Sequence, residues 1–266
     1  IPIDFAFGIT RKEAIQELLI NPDTTSLKSS NIFYDYGTLI SIPISSKYYS
    51  FIKNEEFKDD FELQIIPSFG YSISNVGDGV KFDVLSSESD PSPRYLRTGI
   101  ASSVTLSYKS LWSIIEWKGG RSASDLLVKP RYNNDDPIEY QSGFDNDIDF
   151  IRNVVLSKPD SSIQIYRGDE WTLFEIYSFR FGRENDITGK VNITSAGYGY
   201  NSTGLFKLLY FMLDEPMFKK LSEYIVIKYD HSILDEGGWH PLSNTKFESF
   251  SVTFNNIDRL ILGLLK

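Results

Sequence analysis

Few side chains in this 266-residue chain have types and spacings that point to chemistry. Glu116-Trp117-Lys118 has the E-x-K spacing of a nuclease metal centre. Such a centre also needs an acidic partner upstream and a helical scaffold, and neither stands out, so the pair reads as charges on one face of a strand. His231 and His240 are the only histidines, and Asp230-His231 has the form of half a general-base pair. No nucleophile motif accompanies it, which makes both histidines strand-end or loop residues. Asp145, Asp147 and Asp149 alternate as calcium ligands do, but the glycine and terminal glutamate of an EF-hand are missing. They read as a solvated, acidic start to a helix, with Asp145 near the N-cap. The chain has no cysteine, which excludes disulfide frameworks, thiolate metal sites and cysteine nucleophiles. Asn192-Ile193-Thr194 and Asn201-Ser202-Thr203 are glycosylation sequons in form alone. The sequence therefore assigns no catalytic, cofactor-binding or metal-ligating residue.

Composition narrows the class of protein further. Apolar residues make up 41% and charged residues 24%, which excludes a disordered tail and a helical membrane protein. The net charge of -9, with no basic stripe, opposes binding to a nucleic-acid backbone. Aromatics reach 15%, a composition that suits membrane-water boundaries, where Tyr and Trp place one apolar and one polar end. A soluble β-sandwich or glycan-binding module can be equally aromatic. The longest aliphatic run, Leu260 to Leu265, is far too short for a spanning helix, so a membrane crossing would require a closed barrel. No secretory signal is visible, and a chain that starts at Ile1 without methionine is expected to be a mature product or a fragment.

The elements that would carry these side chains are strands. From Ile3 to Thr10 the odd positions are apolar, and from Ile32 to Ile44 the even positions are mostly Ile and Tyr. Ile65, Phe69, Tyr71 and Ile73 share one face of the next such run. In Leu96 to Tyr108, Leu96, Ile100, Val104, Leu106 and Tyr108 oppose Arg97, Gly99, Ala101, Ser103, Thr105 and Ser107. Further strands are expected at Leu111 to Lys118, Ser162 to Arg167, Trp171 to Gly182, Thr188 to Tyr200, Gly204 to Met212, Glu223 to His231 and Phe247 to Asn256. Helices are expected at Arg11 to Leu19 and Asp145 to Leu156. Alternation fits a lipid-facing wall and a half-solvated sandwich strand alike. Strands of about 10 residues or more, against the usual 5–6, favour tilted membrane crossings. On that basis Ile100, Val104, Leu106, Phe250, Val252 and Phe254 are candidates to face lipid, and Arg97, Glu116, Lys118 and Arg180 to face a lumen. Trp112, Trp117, Trp171 and Trp239 are candidates for an interfacial girdle.

Several phrases, in order, resemble the PorV/PorQ branch of the FadL-like outer-membrane barrels. They are Phe69 to Gly77, Pro93 to Gly99, Ser122 to Pro130, Tyr177 to Gly182, Thr188-Gly189 with Ser195 to Tyr200, and His240 to Thr245 leading into Phe247 to Phe254. The resemblance spans roughly Tyr34 to Phe254. It implies an all-β, antiparallel transmembrane β-barrel of about fourteen strands when complete, with short helical segments in its loops. It places a partial barrel over residues 1–256 and a tail, in the form of a short helix, over 257–266. The implied function is non-catalytic and without cofactor: a bacterial outer-membrane component of type IX secretion that engages cargo or translocon. Its implied partners are outer-membrane lipid and other outer-membrane or secretion-system proteins. A FadL-like channel for hydrophobic solutes and a soluble glycan-binding β-sandwich are the alternatives.

Overall fold

Alternating side chains over long runs commit most of the chain to extended backbone. A computed structural model describes residues 2–21, 25–47, 50, 60–77, 92–109, 112–129, 139–143, 146–236 and 243–255. The strands are β1 (Asp4–Asn21), β2 (Thr25–Ser41), β3 (Ile44–Ser45), β4 (Phe61–Val76), β5 (Tyr95–Tyr108) and β6 (Trp112–Leu126), then β7 (Ile163–Leu173), β8 (Tyr177–Asp186), β9 (Val191–Asn201), β10 (Ile225–Asp235) and β11 (Thr245–Phe254). They form one antiparallel sheet in the order β1-β2-β4-β5-β6-β7-β8-β9-β10-β11. β3 keeps the register of β2 on β4, since Ser41 faces Ser68 and Ile44 faces Ile65. Pro43, which has no N–H to give a ladder, sits at the break between them. The sheet thus has ten strand lines. Chain direction alternates along the path, so β1 and β11, the two edges, run antiparallel to each other. Among the described residues these edges do not pair, and the sheet is open where a closed barrel was expected.

Directly opposed residues in antiparallel strands share a face. One row reads Ile65, Val104, Trp117, Trp171, Phe179 and Tyr198 across six neighbouring strands. The opposite face is small and polar. Gly8 opposes Gly37, Gly70 opposes Gly99, and Gly120, Gly168 and Gly182 line up on three strands. A Cβ on Gly99 would lie 2.7 Å from the Arg121 carbonyl oxygen. Missing Cβ atoms on this side let the sheet curl toward it, and the large recesses open there. The glycine face is the concave one, and the aromatic face is convex.

The small buried core lies on the convex side. Residues 146–158, with one π-helical turn at Phe150–Val155, fold over β5, β6 and β7. Val154 packs with Ala123, Ile163 and Ile165, and Ile100, Ile148 and Phe150 surround that cluster. Buried Asn153 accepts from the Asp149 N–H and donates to the Lys158 carbonyl. These bonds satisfy a fold with almost no regular structure of its own.

Two expected elements are corrected. Arg11 to Leu19 is not a helix but the upper part of β1, because β2 supplies a continuous ladder there: Arg11 faces Tyr34 and Ile15 faces Ser30. Ala14, Ile15, Leu18 and Leu19 fit a helical stripe, but long-range pairing overrides that local pattern. Conversely, Gly204 to Met212 is not a strand but part of α1 (Ser202–Leu213), followed by α2 (Pro216–Tyr224). Leu205, Leu208, Leu209 and Met212 fall at i, i+3, i+4 and i+7. The Asn201 side chain caps the N-terminus by accepting from the Thr203 N–H, and Asp214 ends the helix with a positive φ of 53°. The strand expected over Trp171 to Gly182 is two strands, since Phe174 and Glu175 turn the chain at φ of 55° and 56°. Of the helix expected over Asp145 to Leu156, the described part holds one π-helical turn with Asp149 at its N-cap, and Asp145 lies outside the described residues. The tail from 257, with Trp239 and His240, lies outside the described residues.

The start of α1 is wedged against the β7–β8 turn. A Cβ on Gly204 would overlap the Phe174 carbonyl oxygen and the Glu175 backbone, neither of which can rotate away. Alanine is the better helix former by about 1 kcal/mol. Gly204→Ala should nevertheless destabilise the protein by about 1–3 kcal/mol through overpacking, read as a lower urea midpoint at unchanged m-value.

Candidate functional site

The concave face collects charges from strands far apart in sequence. Arg97, Glu116, Lys118 and Arg180 all lie on it: Arg97 in the recess near β1 to β6, the other three around a second recess of about 500 Å³. Glu116 and Lys118 pair with each other at 3.0 Å. Arg180 is the hub. Its Nε donates to Glu170 at 2.6 Å, its Nη1 to Asp230 at 2.6 Å and its Nη2 to Ser178 at 3.2 Å. Lys207 of α1 reaches Glu175 at 2.6 Å, and Glu175 also accepts from the Ser113 N–H. Arg97 lies over the Tyr166 ring, 4.5 Å from its centre.

Arg180 reaches Asp230 only by crossing β9. It opposes Gly197, and Asp230 opposes Gly199. A Cβ on Gly199 would lie 2.6 Å from both Asp230 Oδ1 and Ser178 Oγ. Gly199 on β9 therefore holds open the path of the guanidinium. Sequence reading found Arg180 but missed Glu170, Asp230 and Gly199 as its partners, because their meeting depends on the register of four strands.

The register also separates residues that are adjacent in sequence. Asp230 points to the concave side, while His231 points to the convex side, stacked on Tyr198 and 3.2 Å from Glu248. They cannot act as one general-base pair, since neighbours in a strand face opposite ways. The Asp149 carboxylate caps the Arg152 N–H, and the Asp147 N–H donates to Asp125. Among the described residues no group of three or more acidic or histidine side chains is placed to hold a metal. Glu116 and Lys118 are each other's ion-pair partners.

The convex face holds the other candidates. Val104 and Leu106 stand beside Ile65 and Leu63, and Phe250, Val252 and Phe254 are exposed on β11. Ile100 is on the same face but is half-covered by the cluster around Val154. Trp112, Trp117 and Trp171 are all convex. At the end of the sheet where β5 meets β6, aromatic rings gather in contact: Phe61 with Tyr108, Tyr108 with Phe211, and Trp112 with Phe174, at 5.3, 5.7 and 5.6 Å.

If Gly199 keeps the Arg180 path open, Gly199→Val will uncouple the pair. A double-mutant cycle on Arg180→Gln and Asp230→Asn should give about 0.5–1 kcal/mol in the native background, the scale of partly exposed ion pairs. In the Gly199→Val background it should fall to zero. No family model and no curated protein matches this chain.

Proposed function

We propose that this chain forms the wall of an outer-membrane β-barrel of PorV/PorQ type. It carries out no catalysis and serves type IX secretion by engaging cargo or translocon. The observation that carries this reading is the convex face, where rings that a soluble sheet would bury stand open: Phe5 is 65%, Phe181 58% and Phe250 69% exposed. Removing one such side chain from water is worth about 1.5–3 kcal/mol, so a face of them calls for a nonaqueous neighbour. Hydrocarbon is the neighbour that matches an apolar wall edged by aromatic rings.

On this reading the chain crosses the membrane with strands. In hydrocarbon an open edge leaves its backbone groups unpaired, so closure is required. The antiparallel edges β1 and β11 suit either direct pairing or joining through an even number of further strands. A glycan-binding sandwich would need its polar face outward, whereas here the polar face is the concave one. The ion-paired concave surface also suits a protein-facing role better than passage of hydrophobic solutes.

The test is membrane fractionation with a heat-modifiability gel. Sarkosyl-insoluble material that shifts on boiling supports the barrel, and a soluble, non-shifting protein overturns it. Co-purification with large outer-membrane proteins then favours the secretion role, and saturable binding of long-chain fatty acids the channel. Within the barrel, Val104→Arg should cost about 2–4 kcal/mol in folding stability if Val104 meets the bilayer midplane, while Ser103→Arg on the other face should cost far less. Equal tolerance at the two positions would refute the assignment of faces.

A further inference from the structure

Three arginines stand side by side on the convex face. Arg121 of β6 is directly opposed to Arg167 of β7, and Arg167 to Arg183 of β8. The row spans about 10 Å, two inter-strand spacings. Like charges directly opposed across strands repel, so a row of three needs counter-charge. Among the described residues the one carboxylate bonded to any of them is Asp169, 3.3 Å from Arg167 Nε and shared with the Trp117 indole. Arg121 donates to the Val155 carbonyl at 2.6 Å, and Arg183 to the Asn192 side chain at 3.3 Å. These neutral partners position the guanidiniums without cancelling their charge.

The row also marks a boundary. Toward one end of the same strands the convex face carries Trp117, Trp171, Phe179 and Phe181. Toward the other, Ala123, Ile163 and Ile165 are covered by residues 146–158, and the uncovered strands carry the polar Asn185 and Asn192. Above the row sits the folded segment 146–158, whose Ile151 and Leu156 stand exposed next to Val155. Guanidinium donors at the edge of an apolar wall, with apolar side chains alongside, match an amphiphile that has a phosphate head and acyl tails.

We infer that Arg121, Arg167 and Arg183 form a binding site for the phosphate groups of a lipid headgroup seated against the wall. The row lies at the end of the sheet with the 77–94 and 127–162 connections. Long loops mark the outer surface of such barrels, so the ligand is the phosphorylated glycolipid of the outer leaflet. This rests on the membrane reading above.

The experiment uses the full chain in dodecyl maltoside micelles, titrated with deep-rough lipopolysaccharide, with phosphatidylglycerol and with inorganic phosphate, binding being read by native mass spectrometry. Lipopolysaccharide should be retained at one per protein and should bind about tenfold more weakly for each arginine replaced in Arg167→Gln and Arg183→Gln, the weight of a charge-assisted hydrogen bond. The control, Lys118→Gln with Lys228→Gln on the concave face, should bind as the native chain does. Equal binding by the arginine variants, or an equal loss in the control, overturns the site. Phosphatidylglycerol or free phosphate binding as tightly as lipopolysaccharide overturns the choice of ligand. The same preparation is run on the heat-modifiability gel. A shifting protein without arginine-dependent lipid refutes this inference alone, and a soluble, non-shifting protein refutes the membrane reading and this inference together.

Discussion

Everything in this sheet depends on register. A strand repeats every two residues, so a slip by one residue would send every side chain to the other face. Ten strand lines hold a common register from β1 to β11, with local shifts at Leu19/Asn21, Tyr34/Tyr36 and Leu106/Ser107. Because of that, one face is apolar from Phe7 on the first strand to Val252 on the last, and the other is glycine, serine and charge. The sheet has little conventional core. The fully buried apolar side chains are few, and several belong to one cluster beneath residues 148–155. Backbone ladders and cross-strand pairs carry the rest.

Curvature follows from the same division of faces. Glycines opposed on neighbouring strands free the concave side of Cβ atoms, while rings and branched chains spread on the convex side. The concave charges then come within reach of one another across the curl. Arg180 ties β7, β8 and β10 through Glu170, Ser178 and Asp230, and it does so over β9 because Gly199 leaves room. Ion pairs of this exposure are worth little singly. Their effect is to hold acids and bases of the polar wall in contact.

Among the described residues the convex face is uncompensated in two ways. Rings such as Phe5, Phe181 and Phe250 stay exposed, and the one carboxylate bonded to the arginine row is Asp169. On the reading proposed above, a membrane would supply what each lacks, hydrocarbon for the rings and phosphate for the guanidiniums. The segment over β5 to β7 ties Arg121 to its own backbone through Val155.

The amino-acid sequence by itself determined that the chain is mostly strand, and which side chains share a face within each strand. Those are consequences of a two-residue repeat, which is local. Arg97, Glu116, Lys118 and Arg180 could be grouped on one side, and Val104, Leu106, Phe250, Val252 and Phe254 on the other, from parity alone. Tertiary structure decided what parity cannot reach. Arg11 to Leu19 extends β1 because β2 offers it partners, and Gly204 to Met212 coils because Asn201 caps it and its leucines have helical spacing. The turn at Phe174 and Glu175 left no mark in the sequence, since neither residue advertises a positive φ. The Arg180 hub and the arginine row exist only once register is set. Cross-strand neighbours are fixed by turn lengths and bulges summed over many residues, and no short window of sequence contains that sum.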